Sequence, residues 1–300
     1  MRRSQFLPRF GEHEDWRHSH LALAYDAWAP AAEDGEDAGK VPPERGQREP
    51  FKSKWLDHLE RLTINRDYQH AYDRWKNSLE SSGCHCKEIK LASRLLVGHG
   101  NSSVTEVGLS VHHTWGVPVI PGSALKGLCA HYTAAAYGRQ DASGDKREER
   151  ARFSGPGWDK NRRRVETPPG DYYRALFGAP DVPDAASTAG LVVFHDALYV
   201  PRSCATGADD APFAVDVLTV HQRSYYGQDK DAGGDPGQRW PNDYESPNPV
   251  GFISVRPGAQ FLLAIGGDAD WAGVALNLLE EALREWGAGG KTSAGYGHFR

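Results

Sequence analysis

Nine residues near the middle of the chain, Val119-Ile120-Pro121-Gly122-Ser123-Ala124-Leu125-Lys126-Gly127, oblige the backbone to pass from extended to helical within a few positions. The stretch from Trp115 to Ile120 reads as a short extended segment that closes on Pro121-Gly122. From about Ala124 to Tyr137 the apolar residues recur at helical spacing. Leu125, Leu128, Cys129 and Tyr132 fall at i, i+3, i+4 and i+7 and form a core-facing stripe. Ser123 stands where an N-cap accepts from the amide of Leu125 or Lys126. Lys126 is then third in the helix, where a cation opposes the macrodipole at a cost of about 0.3 kcal/mol or more. Fold stability gives no reason for a lysine there, whereas an anion on the open amides turns the penalty into attraction. Gly122 and Gly127 remove side chains that would block the approach of a phosphate. The segment points to phosphate binding.

A second segment, residues 287–297, holds five glycines in eleven positions together with Lys291, Thr292 and Tyr296. Gly290-Lys291-Thr292 imitates the end of a Walker A motif, but Glu285 stands where that motif needs its first glycine, and only eight residues follow the threonine. ATP is therefore not the expected ligand. A flexible, amide-rich loop with one lysine and one stackable tyrosine suits single-stranded RNA. The plain alternative is a glycine-rich turn into a last strand.

Around these segments the chain reads as an α+β sandwich with a ferredoxin-like core and insertions. Strands are expected over 87–97, 104–113, 190–200, 213–220, 250–256 and 259–265, and a short aromatic helix over 172–178. A final helix from Trp271 to Trp286 carries Val274, Leu278, Leu279, Ala282 and Trp286. Nearer the start, Trp55, Leu59, Leu62, Tyr68, Tyr72, Trp75 and Leu79 give residues 51–79 the period of one or two helices, ended by Ser81-Ser82-Gly83. Leu21 to Trp28 is apolar enough to dock. Residues 30–50, rich in proline, glycine and charge, are expected to be a flexible linker. Residues 139–170 and 227–249 read as polar excursions.

The formal net charge is −5, so any grip on nucleic acid must come from local patches. No apolar run approaches the ~20 residues of a membrane span. The two arginines at the start are followed by charge rather than an apolar signal core, which makes the expected location cytoplasmic. Cys84 and Cys86 flank His85, but Cys129 and Cys204 stand apart. Reduced thiols are expected, with no metal and no cofactor.

Gly98-His99-Gly100, Glu106-Val107-Gly108 and the run from Pro118 to Gly127 resemble the front half of RAMP-superfamily proteins, and residues 287–297 resemble their glycine-rich loop. Asp216 to His221, Tyr225-Tyr226 and Pro249-Val250-Gly251-Phe252 resemble the subunit-six family of the type III-B (Cmr) CRISPR effector complex. The likeness covers about residues 88–300, with Ala124 where the family often has serine. It implies a RAMP (RRM-like) domain over 86–300 and a peripheral helical segment over 1–85. It also implies a non-catalytic structural subunit in antiviral defence, holding the guide RNA near its 3′ end and capping the backbone filament. Guide and target RNA and other Cmr subunits, the backbone subunit included, would be its partners. The RNA-contact residues it implies are Gly122, Ser123, Lys126, Gly127, His221, Lys291, Thr292 and Tyr296, with a partner-protein contact or a buried hydrogen bond as the alternatives for His221. Residues 139–170 would form a thumb-like insertion with Arg162, Arg163 and Arg164, in which Phe153 and Trp158 stack on bases.

Two rivals stand beside this reading. An endoribonuclease that processes CRISPR precursor RNA would use His112 or His113, which strand alternation sends to opposite faces. A purely protein-bridging subunit would use its glycine motifs only structurally.

Overall fold

The structure is a computed structural model that describes residues 20–27, 50–101, 107–138, 145–159, 161, 164–182, 186–207, 209–220 and 248–300. The linker expected over 30–50, apart from its last residue, lies outside them. So do His221, Arg162, Arg163 and nearly all of the excursion 227–249. In chain order the elements are α1 (Pro50–Glu60), α2 (Tyr68–Ser81), β1 (His85–Lys90), β2 (Val119–Ile120), α3 (Gly122–Ala136) and α4 (Asp145–Ala151). There follow β3 (Gly157–Trp158), β4 (Val165–Thr167), α5 (Asp171–Phe177), β5 (Val192–Phe194), β6 (Ala197–Tyr199), β7 (Ala205–Thr206) and β8 (Asp209–Asp210). The last elements are β9 (Phe213–Val220), β10 (Asn248–Val255), β11 (Gln260–Gly267) and α6 (Ala269–Glu285). The protein is α+β.

The chain divides into two compact units that interleave in sequence. One holds 1–63, 100–109 and 213–254; the other holds 64–99, 110–212 and 255–300. A single boundary at residue 85 is therefore not what the packing shows. Tyr68, Tyr72 and Leu79 of α2 belong to the same buried cluster as β1 and β11, so α2 cannot be peripheral to that sheet. In the first unit β9 pairs with β10, α1 packs on β9, and Tyr25 stacks on Trp55 with ring centroids 5.6 Å apart.

The second unit is organised by β11. Phe261 to Ile265 are all buried, an apolar run that only a strand covered on both faces can carry. β1 pairs along its whole length on one side, antiparallel, from His85 opposite Ile265 to Lys90 opposite Gln260. Alternation along β1 then selects two layers. Glu88 accepts from Tyr72 (3.1 Å) and Lys76 (2.9 Å) of α2, whereas Lys87 bridges Glu280 of α6 at 2.7 Å. Beyond β1, Leu91 meets Phe299 in an antiparallel bridge, and the Arg300 amide donates to the Lys90 carbonyl.

On its other side β11 pairs with β5 and β6, and β2 pairs outside β6. The single strand expected over 190–200 is broken at His195-Asp196. Phe194 lies opposite Ile265 and Leu198 opposite Leu262, so three residues of the outer strand face two of β11. This is a β-bulge, and it re-aims the side chains at the break. The second expected strand, 104–113, also differs. Residues 102–106 are outside the described set, and Val111 meets Pro118 in an isolated bridge, with Gly116 donating back to the His112 carbonyl. His112 and His113 therefore sit in a turn, and strand alternation does not apply to them.

Candidate nucleic-acid interface

The two segments that the sequence singles out meet in one place. α3 begins at Gly122, one turn earlier than its apolar stripe suggests, and Ser123 is inside the helix with no side-chain cap bond. The Pro121 carbonyl takes the amides of Ala124 (2.9 Å) and Leu125 (3.1 Å). The Gly122 amide donates to Asp196 Oδ1 at 2.7 Å, so the bulge supplies the carboxylate that satisfies the helix start. This corrects the expectation of a Ser123 cap, and it places a negative charge where the sequence suggested a free anion site. Gly122 is required by packing: a Cβ there would come 2.2 Å from the Phe194 carbonyl oxygen. A Cβ at Gly127 would meet nothing within 4 Å. Ser123 and Gly127, four apart, share that open flank.

The loop after α6 is stitched down rather than hanging free. Gly287 (φ 74°) closes the helix in the left-handed region, as glycine commonly does. The Ala288 amide donates to the Gly297 carbonyl (2.8 Å), Gly290 to Leu96 (2.7 Å) and Gly297 to Arg94 (2.6 Å). His298 Nε2 lies 3.3 Å from the Thr292 carbonyl. A Cβ at Gly289 or Gly297 would collide with the Leu96 or Ala288 carbonyl, so these glycines permit close backbone approach. Between these fixed points residues 291–296 form an outward arc. Lys291 is exposed and left-handed at φ 59°, Thr292 to Ala294 make one tight turn, and Tyr296 is half-buried.

Between α3 and this loop runs a groove of about 360 Å³. Ile120, Ala124 and Leu128 line one side, and Trp286 to Gly289 with Thr292 line the other. Lys126 is not among them. It lies two residues from both Ala124 and Leu128, about 200° around the helix from each, on the far side of α3. Of the expected RNA contacts among the described residues, Thr292 lines the groove, with Ser123 and Gly127 on its helix flank. Trp286 was the missed member. It reads as the end of a core stripe, yet it is 39% exposed, as is Val274 at 40%. The buried stripe of α6 runs instead through Ala275, Leu278, Leu279, Ala282 and Leu283.

Other expected contacts fall elsewhere. Phe153 does not project from residues 139–170; it packs against the core between Tyr137 (5.8 Å) and Tyr172 (5.1 Å). Trp158, the last residue of β3 before the hairpin turn, is 51% exposed. Arg164 is exposed in the hairpin turn, its amide 3.2 Å from Asp159 Oδ1. Burial pushes the Cys129 thiol up to about 12. Cys84 Sγ lies 3.7 Å from His195 Nε2, and among the described residues no three His, Cys, Asp or Glu side chains gather as a metal site. Also among them, no helix is long and apolar enough to cross a membrane.

Known proteins resemble this chain in sequence and in fold. The chain is 30% identical over 260 residues to the CRISPR system Cmr subunit Cmr6 of Pyrococcus furiosus, a match that covers 77% of this chain and 72% of the relative. Among solved structures, a chain in the cryo-EM structure of the type III-B Cmr-beta bound to cognate target RNA superposes with a TM-score of 0.52 at 20% identity, covering 83% of this chain and 70% of that one. The crystal structure of Cmr6 from Pyrococcus furiosus aligns at 27% identity over 72% of this chain and 97% of its own, with a TM-score of 0.40. Residues 88–300, from β1 through the glycine-rich loop to the last residue, match the model of the RAMP superfamily, and the chain belongs to it.

Proposed function

We propose that this protein is a non-catalytic, RNA-binding subunit of a Cmr CRISPR effector complex that works in the cytoplasm in antiviral defence. The observation that carries the reading is the convergence of the α3 start and the glycine-rich loop on one groove, in a chain whose relative is a Cmr subunit. The order terminal segment, β1, β11, β5/β6, with α3 and α6 as the two crossing helices, supports a ferredoxin-like core. The guide RNA lies along the groove near its 3′ end, and the chain caps the filament of backbone subunits. Lys126, on the other flank of α3, takes a neighbouring phosphate. The β3–β4 hairpin, with Trp158 and Arg164, serves as the projection toward the duplex.

A tagged chain recovered from its native host tests this. Other Cmr subunits and short repeat-derived guides are expected in the eluate, and the purified chain is expected to leave guide precursors uncut. Recovery with cleaved precursor, abolished on replacing His112 or His113, would put the processing nuclease in its place.

A further inference from the structure

The groove beside α3 is electrically lopsided. At its helix end Trp286 follows Glu285, and Glu281 accepts the Tyr137 hydroxyl at 2.6 Å. At its loop end the lining residue Thr292 follows Lys291 in sequence, an exposed cation on a left-handed backbone. Between the ends Ile120, Ala124 and Leu128 face Gly287 to Gly289, so the lining there carries no charge.

We propose that this groove is a pocket for one unstacked nucleobase of single-stranded RNA, lying against Trp286 with its phosphate toward Lys291. The inference deepens the RNA-binding reading above and rests on it. Trp286 is braced edge-on against Tyr132, with centroids 5.4 Å apart and planes at 83°, which holds the indole in place while leaving it 39% exposed. An indole braced on one edge and left open at the end of a helix offers a stacking platform that accepts any base. A nucleotide matches both ends: its uncharged base tolerates the carboxylates, and its phosphate seeks the lysine. A basic peptide segment would be drawn to the Glu281 and Glu285 end, and a free phosphate would have no use for the indole. The volume holds a single base with part of its ribose, which suits a splayed-out nucleotide rather than a duplex.

The test uses the full chain and a set of short single-stranded RNAs, each with 2-aminopurine at one position. Affinity and fluorescence quenching are measured together. The wild-type chain is expected to bind and to quench the probe. Trp286→Leu should lose the quenching and weaken binding on the order of 5- to 150-fold, the loss of one base stack. Ala124→Phe fills the groove from the helix side and leaves Trp286 in place; it should lose the quenching with its melting temperature unchanged. RNA that binds the wild type tightly but is neither quenched nor weakened by either variant overturns the pocket while leaving the RNA-binding reading standing. An arginine-containing peptide that displaces the probe through Glu281 and Glu285 overturns it in favour of a protein occupant. Failure of the wild-type chain to bind any of the RNAs overturns both readings.

Discussion

Gly122 and Gly127 stand in the same helix and answer to different neighbours. Gly122→Ala would drive a Cβ to 2.2 Å from the Phe194 carbonyl oxygen, so a loss of about 1–3 kcal/mol is expected in urea unfolding. Gly127→Ala meets open space and removes a helix-interior glycine, which should stabilise by about 0.5–1 kcal/mol. If Gly127 is there for RNA, the more stable variant binds RNA more weakly, a combination that fold stability alone would not produce. Asp196 is the residue that sequence reasoning had no means to find. Its signal is a carboxylate 74 residues from the amide it satisfies, and nothing local marks it. Asp196→Ala should cost ~1 kcal/mol as a lost cap. Asp196→Asn keeps an acceptor but removes the charge, and should tighten RNA binding if a phosphate approaches the start of α3. Equal affinity in a filter-binding assay would place the phosphate elsewhere. Lys126 shows the opposite limit of sequence: its presence in the motif was plain, but the side of the helix it faces depends on where the loop from residue 287 arrives.

At the level of elements, periodicity was a good guide wherever one neighbour dominated. α3, α5 and α6 lie within a few residues of where their apolar spacing puts them, and β9 lies where it was expected. Periodicity failed where two elements compete for one segment. The run from Val192 to Tyr199 has an unbroken strand composition, and it bulges because the start of α3 must fit against Phe194 and take Asp196. Phe153 was misjudged for a similar reason: its charged neighbours in sequence say surface, while Tyr137 and Tyr172 draw it inward. The end of α3 is tied to α6 by Tyr137, whose hydrogen bond to Glu281, with partial burial, holds the phenol up at about 12. A phenol ionises near 10 in the unfolded chain, so this bond stabilises fully below about pH 10 and is lost as the pH climbs toward 12. Thermal melts across that window should fall more steeply for the wild type than for Tyr137→Phe. Parallel curves would show that the bond contributes nothing.

For the molecule as a whole, a net charge of −5 means that RNA is held by a few contacts against a repulsive background. Each phosphate lost should then be visible in the salt dependence. Lys126→Ala and Lys291→Ala are each expected to lower the slope of log affinity against log salt by about one, across all RNA sequences. An unchanged slope in Lys126→Ala would remove that residue from the interface and leave the protein-bridging role for its side of α3.

The pairing of β1 with β11 also has a consequence in time. Their partners are 170 to 180 residues apart, from Lys90 with Gln260 to His85 with Ile265. At the usual ~5–20 residues per second of synthesis, β1 waits on the order of ten seconds or more for its partner. It can wait safely, because His85, Lys87, Glu88 and Lys90 keep the nascent strand hydrated around one buried aliphatic, Ile89. The strand that would aggregate, Phe261 to Ile265, leaves the ribosome only when the edge that shelters it has long been made.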